Sequence, residues 1–565
     1  MVQLDEPNNI SELIWEQKYR LKSFEGFVFE NSIEETWERV ARAISAPEMD
    51  RTQWTKTFRS AFEDFQLIPG GRITANAGSG RLDTLINTFM MGNLPNDLWE
   101  IYRSLGESAQ TLRAGGGIGC NFSNIKPRFS EEKGFSIPAS GPLSYMDLWD
   151  QMSRTTGDYG PRRGAMMAML RCDHPDIFEF ISAKRKSGTL TNFNISVLVT
   201  DSFIKAVLED GPWTLRHNGT VYSTISASDL WRCIMENTYD YSEPGVLFID
   251  KMNTLNNLRY CEEIIGTNSC GEIPLPSYGS CNLASINLAK LVVNPFQPSA
   301  KLNLTKFAEL IATGVRMLDN VLEISNYPLE KQRLDGQAKR RIGLGITGLA
   351  DALIMSGARY GTPQANTLIT EWMNVFRTVA YLSSVDLAKE RGCFPLYDRD
   401  KYIDVLKQRE FPEHVVNTIR KYGIRNGVAT AIAPTGTSSM YAGNVSSGIE
   451  PVFNFVTTRN IILGDGNKEQ IQLHDYAYAK YKKLNGCSEI LPEAFVNASQ
   501  LTPYEHLTTQ ALVQKFIDSS IAKTINCPEN LPFSDFNGIY LDAYNLGCKG
   551  CTTYRPTPVR GQVLS

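Results

Sequence analysis

No run of about 20 apolar residues occurs anywhere in this 565-residue chain, and its first residues, Met1-Val2-Gln3-Leu4-Asp5-Glu6-Pro7, are polar and acidic. Neither a membrane span nor a secretory signal is expected, which leaves the cytoplasm as the expected compartment. Basic charge is not in excess either. With 57 Lys and Arg against 61 Asp and Glu the formal net charge is −4, so there is no footprint for nucleic acid and any nucleotide handled should be small. Histidine is scarce: the five (His174, His217, His414, His474 and His506) show no zinc or di-iron spacing, and no protein-held metal is expected. Eleven cysteines are scattered without the spacing of a secreted disulfide framework, so most should be reduced thiols, and redox chemistry has to be argued for particular ones.

The residues that are present read as α/β. From about 11 to 65 the pattern is helical, with Ser32 or Asn31 placed to cap a helix through Ile33 to Val40. Past Pro69, strand-like runs at 85–91 and 193–199 alternate with helix-like stretches at 97–114 and 201–209. No internal repeat and no low-complexity linker divides the chain beyond that point. The expected organisation is a helical region over 1–65, one continuous α/β unit over 66–556 and a short tail over 557–565.

The chemistry concentrates in 268–287. Asn268, Cys270 and Glu272 alternate, so an extended backbone sets the amide and the carboxylate on one side with the thiol between them. Gly271, Pro274, Pro276 and Gly279 can lift Cys270 into a loop, and Cys281 comes shortly after. A carboxylate can take a proton from a hydroxyl, an amide can donate and accept, and sulfur can act as a nucleophile or in one-electron steps. Taken alone the string is weak, because an internal cysteine is more often an inert buried residue.

Other strings occur in the matching order: Gly115-Gly116-Gly117-Ile118-Gly119-Cys120-Asn121-Phe122-Ser123, Ala433-Pro434-Thr435-Gly436-Thr437-Ser438-Ser439 and Gly547-Cys548-Lys549-Gly550-Cys551-Thr552-Thr553-Tyr554-Arg555. Together with Cys270 and Cys281 they make the chain resemble the catalytic subunit of ribonucleotide reductase, most closely the adenosylcobalamin-dependent class II branch. The resemblance implies a ten-stranded α/β barrel of two five-stranded halves, with Cys270 on a finger loop through the centre. It implies that Cys270 becomes the thiyl radical that removes the 3'-hydrogen of a ribonucleotide, that Glu272 takes the 3'-hydroxyl proton, and that Asn268 orients the hydroxyls. Cys281 matches the redox cysteine. Its usual partner position holds Thr88 here, so Cys120, expected one strand to the side and about 4.8 Å away, is taken as the disulfide partner of Cys281.

By the same resemblance Pro434, Thr435, Gly436, Thr437 and Ser438 hold the substrate phosphates, in a turn suited to an anion if a helix starts there. Arg162 and Arg163 belong to a loop that relays the identity of an allosteric dNTP or ATP effector. Cys548 and Cys551 form a C-x-x-C pair that could shuttle electrons or be structural. The 343–348 string fits G-x-G-x-x-G, but Lys339-Arg340-Arg341 before it is not strand-like and no acidic residue stands at the required distance beyond it; it is read as a helix-packing element, not a dinucleotide site.

Class II is favoured because no Tyr-Tyr pair exists in the chain; Thr552 and Thr553 stand where class I subunits carry radical-relaying tyrosines. The alternatives are a class I large subunit served by a metal-containing small subunit, and a non-catalytic nucleotide-binding relative. Expected partners are the ribonucleotide, a thioredoxin- or glutaredoxin-like dithiol reductant and, if the chain is not a monomer, a second copy. No segment resembles an ATP-cone domain.

Overall fold

Ser32 caps the helix Ile33–Ile44, its side chain accepting from Glu35 N–H, and Asp50 does the same for Arg51–Phe62 through Gln53 N–H. Trp37, Val40, Ala41 and Ile44, spaced to share one helix face, form the buried stripe of the first helix. They join Phe58, Ala61 and Phe62 in the main core. The computed structural model describes residues 2–3, 7–23, 25–131, 136–157, 164–186, 188–462, 468–486 and 490–557. Glu48 anchors the helical region to the remainder of the fold: its carboxylate accepts from both Arg316 Nε (2.7 Å) and Nη2 (2.6 Å), and pairs with Arg391 at 2.8 Å. The helix Pro7–Lys18 reaches further, bringing Tyr19 against Tyr441 with ring centroids 4.7 Å apart.

The expected barrel of two five-stranded halves is present. Strands Thr88–Met90, Gly117–Asn121, Met166–Arg171, Phe193–Val199 and Gly245–Phe248 run parallel as one half. In the other half Ser280–Asn287 pairs in parallel with Ile342–Thr347, and Thr524–Asn526 with Gly550–Tyr554. Extended residues 428–433 close the gap through the parallel bridges Leu344↔Thr430 and Ile432↔Ile521. The halves meet antiparallel at Cys281↔Thr88 and Gly550↔Leu247, which completes the ring. A short strand, Leu67–Pro69, adds antiparallel to Ser280–Asn287. Strands such as Met166–Arg171 are apolar almost throughout because helices cover one face and the barrel filling covers the other.

One expectation from the sequence is corrected. The 343–348 string is not a helix-packing element; Gly343 to Thr347 form most of the strand Ile342–Thr347. Gly345 is there because residue 431 passes so close that a Cβ would overlap the Ala431 carbonyl, and Gly343 because a Cβ would meet the Leu283 side chain. Only Gly348, at φ +71°, makes the turn into the helix Leu349–Met355.

The barrel interior has its own apolar cluster, including Met90, Met167, Met169, Ile273, Leu275 and Cys281, separate from the main core outside. A hairpin of Gly266–Thr267 and Pro274–Leu275 threads through it. Its passage explains Gly119, where a Cβ would overlap the Thr267 carbonyl oxygen. Asn121 Nδ2 donates to Ile265 O (2.8 Å), Asn194 Nδ2 donates to Ser269 O (2.9 Å), and Ser520 N–H donates to Glu272 O (2.8 Å), so both halves of the barrel hold the hairpin. Among the described residues no helix is long and apolar enough to cross a membrane.

Candidate active site

The hairpin ends in a tight turn. Gly271 N–H donates to Asn268 O (3.2 Å), Ile273 N–H donates to Asn268 Oδ1 (3.0 Å), and Gly271 takes φ +82°, which a side chain would strain. This lifts Cys270 to the tip, where its side chain is exposed to a recess of about 370 Å³ that is also lined by Pro434, Glu450, Lys523 and Thr552. Asn268 and Glu272 beside it are only 1% and 2% exposed. Among the described residues Asn268 Nδ2 and Glu272 Oε2 make no well-formed hydrogen bond, the amide only lying close enough to the carboxyl to pull on it. A buried donor and a buried acceptor left open each cost about 1–3 kcal/mol, a cost removed by a ligand that brings hydroxyl groups.

The electrostatics suit two different tasks. Although Cys270 opens to the recess, the surrounding walls keep water from much of its thiol and, with the nearby Glu272 charge, push it above the usual thiol range, so near neutral pH the sulfur keeps its hydrogen and is a poor thiolate nucleophile. Burial pushes the Glu272 carboxyl up to about 7, against a smaller opposing pull from the Asn268 amide. A carboxylate with that value is matched to general-base work near neutrality.

Cys281 lies at the start of its strand inside the barrel, directly across from Thr88. Burial holds its thiol up at about 12. The expected pairing of Cys120 with Cys281 is corrected by the register. Thr88 pairs with Cys281 on one side and with Gly117 on the other, and Cys120 lies three residues beyond Gly117. Two strand spacings of about 4.8 Å and a three-residue offset of about 10 Å exceed the roughly 7 Å limit between Cα atoms of a disulfide. Cys120 also points the other way, into the outer core near Ser108 and Trp149, where burial raises it to about 12. Cys548 and Cys551 are likewise buried and grouped with that outer core, with Cys527 near Cys551, but Cys551 also borders the recess beside Cys270.

The 434–438 turn borders the same recess through Pro434. Thr435 stands at φ +49°, an uncommon conformation for a β-branched residue, and starts the helix Gly436–Tyr441, whose first turn no side chain caps. Thr437 and Ser438 are partly exposed. The Thr435 hydroxyl is instead engaged behind the turn, accepting from Gly448 N–H at 2.8 Å and lying 3.0 Å from Thr347 Oγ1. Thr347 is a residue that reasoning from the sequence passed over; the signal was a threonine ahead of a turn glycine at the end of a strand. Lys523 was passed over too: its ammonium, held down by burial, lies 2.7 Å from Glu450 Oε2 and 3.0 Å from His506 Nδ1. Arg162 and Arg163 lie outside the described residues.

Comparison with known proteins bears on this geometry. The family model described as "Ribonucleotide reductase, barrel domain" matches residues 87–554, and "Ribonucleotide reductase, all-alpha domain" matches 5–81. A Mycobacterium tuberculosis protein named vitamin B12-dependent ribonucleoside-diphosphate reductase is 33% identical over 97% of this chain and 79% of its own length. A Thermoplasma acidophilum protein of the same name is 31% identical over 96% of this chain and 70% of its own length. The ribonucleoside-diphosphate reductase subunit alpha of Chlamydia pneumoniae is 24% identical over 92% of this chain and 56% of its own.

Proposed function

Because the chain belongs to the ribonucleotide reductase family, we propose that it reduces ribonucleoside di- or triphosphates to 2'-deoxyribonucleotides in the adenosylcobalamin-dependent manner of class II. The observation that carries the reading is Cys270 at the finger tip between the open polar atoms of Asn268 and Glu272, in one recess with Pro434.

The recess beside Cys270 fits a nucleoside-sized group. Gly245 lines it, and a Cβ there would approach Ser196 Oγ to 2.9 Å; a Cβ at Gly271 would meet open space. Ser196, Thr552 and the backbone at Gly245 and Gly271 would hold the adenosyl part of adenosylcobalamin, which when bound supplies one-electron chemistry by homolysis of its Co–C bond.

Cys270, after losing its hydrogen atom, takes the 3'-hydrogen of the ribose. Glu272 takes the 3'-hydroxyl proton and delivers it to the 2'-hydroxyl, which leaves as water, while Asn268 holds the hydroxyls through its amide. The ribose then needs two electrons and two protons, and Cys270 finally returns a hydrogen to C3'. In balance, ribonucleotide and dithiol become deoxyribonucleotide, disulfide and water. Cys281 is the proposed point of entry for the reducing equivalents, drawn from a thioredoxin- or glutaredoxin-like dithiol. Thr88 cannot contribute a thiol, which makes that external reductant central to turnover.

The phosphates are proposed to lie on the 434–438 turn, with the Thr437 and Ser438 hydroxyls and the uncapped N–H groups as donors. Arg162 and Arg163 are proposed to sense a dNTP or ATP effector. Leu98, Trp99 and Tyr102, exposed on one helix, support a homodimer over a monomer. The proposed setting is the cytoplasm, and the proposed domain division is 1–65, 66–556 and 557–565. A Cys270→Ser variant tests the reading: it should bind nucleotide and form no deoxynucleotide, and retained product formation would refute it.

A further inference from the structure

Thr435 holds its left-handed backbone although a β-branched residue does so only at a steric cost, of order 1–3 kcal/mol. Such a conformation persists only where surrounding contacts fix it. They come from behind the turn. Thr347 Oγ1 donates to Ser446 O (3.0 Å), so its single hydrogen is engaged, and the 3.0 Å contact with Thr435 Oγ1 must have Thr435 as donor. Gly448 N–H reaches both hydroxyls, at 2.8 Å from Thr435 Oγ1 and 3.1 Å from Thr347 Oγ1. Ser446, the next link, is clamped by Asp351: its N–H donates to Asp351 Oδ2 at 2.6 Å, and its Oγ accepts from Asp351 N–H at 3.3 Å. Asp351 Oδ1 accepts from Ala477 N–H at 2.9 Å. Asp351 and Asp475 are both buried and their carboxyls act on each other, with Asp475 Oδ1 also accepting from Tyr478 N–H at 3.1 Å.

Two buried carboxyls in contact cannot both be ionised, so one proton is shared. Asp351 accepts Ser446 N–H and Ala477 N–H and is the ionised member, whereas Asp475, which accepts Tyr478 N–H on Oδ1 and is pushed well up by burial and then by the Asp351 charge, carries the proton. None of these groups borders the recess beside Cys270, and all of them converge on the back of the 434–438 turn.

We propose that Thr347 and the Asp351–Asp475 carboxyl pair are positioning residues that hold the 434–438 turn in its phosphate-receiving shape, so that they set affinity for the phosphate part of the substrate and leave the chemistry at Cys270 alone. The inference rests on the phosphate role proposed above for that turn.

The test compares a nucleoside diphosphate with its parent nucleoside in Thr347→Val, which keeps the shape and removes the hydroxyl, in Thr347→Ser, which restores it, and in Asp351→Asn against Asp475→Asn. Thr347→Val is expected to raise Kd and KM for the diphosphate about tenfold, with kcat within about twofold and nucleoside binding unchanged, and Thr347→Ser to recover affinity. Asp351→Asn, whose amide would face a backbone N–H, is expected to raise KM more than Asp475→Asn, whose amide can donate as the acid does. Unchanged diphosphate affinity in Thr347→Val, equal losses for nucleoside and diphosphate, or no recovery in Thr347→Ser would overturn the proposal. If the unaltered protein binds nucleoside as tightly as diphosphate, the phosphate role of the turn itself fails, a result separate from the variants.

Discussion

Thr88 lies directly across from Cys281 in the antiparallel pair of strands that joins the two barrel halves, with Thr88 Oγ1 donating to the Cys281 carbonyl at 3.4 Å. Directly opposed residues in such a pair have Cα atoms about 4.5–5.5 Å apart, within disulfide range. A Thr88→Cys variant is therefore expected to form a disulfide with Cys281 on mild oxidation. Mass spectrometry of alkylated peptides should find those two thiols lost together and Cys120 still alkylated after unfolding. A Cys120–Cys281 disulfide in the unaltered protein would contradict the register.

Glu272 must be ionised to take a proton, and burial places its carboxyl at about 7. Since the raised value favours the protonated form, kcat/KM is expected to rise with pH through a limb near 7 and to fall away below it. Glu272→Gln should remove that limb and lower kcat by roughly 10²–10⁴-fold. A profile that is flat from about pH 6 to 8 in the unaltered protein would count against the general-base role.

Much of this was legible from the residues. The helix cap at Ser32, the alternation of strands and helices, and the convergence of Asn268, Cys270 and Glu272 come from local rules of capping and period. Cys120 shows where such rules end. Which strand it sits on could be read, but which face of the strand it occupies depends on register across the sheet, and a one-residue shift reverses that face. The 343–348 glycines misled for a related reason: Gly345 answers the close approach of residue 431 and Gly343 that of the Leu283 side chain, tertiary contacts that leave no local signature. Thr347 gained its role from hydroxyl contacts with residues about 90 positions or more away, which one sequence does not reveal.

Gly119→Ala would drive a methyl group into the Thr267 carbonyl, on the strand that carries the finger. Displacement of the Cys270 tip is expected, with stability lower by on the order of 1–3 kcal/mol and activity lost beyond what stability explains. Denaturant titration beside an activity assay checks this. A variant that keeps both would show that the finger does not pass as tightly as described.

Glu48 ties the helical region to the barrel helices. Burial pushes its carboxyl up, but Arg316, Asn320 and Arg391 outweigh that and hold it below the usual range. A depressed value gives stability that is present above the unfolded value, about 4.3, and lost as pH falls through the folded one. Glu48→Ala removes the shared acceptor but leaves Arg316 paired with Glu390 and Arg391 with Asp319, so it should destabilise by on the order of 1–2 kcal/mol at pH 7, with the difference shrinking in acid. Urea unfolding at about pH 7 and about pH 4 measures both.

The central claim is tested most directly by incubating the purified chain with CDP or CTP, dithiothreitol, adenosylcobalamin and dNTP effectors, with no other protein present. Deoxycytidine nucleotide that depends on adenosylcobalamin, and is absent in Cys270→Ser, is the expected result. No product in that mixture, with product appearing once a metal-containing small subunit is added, would contradict it.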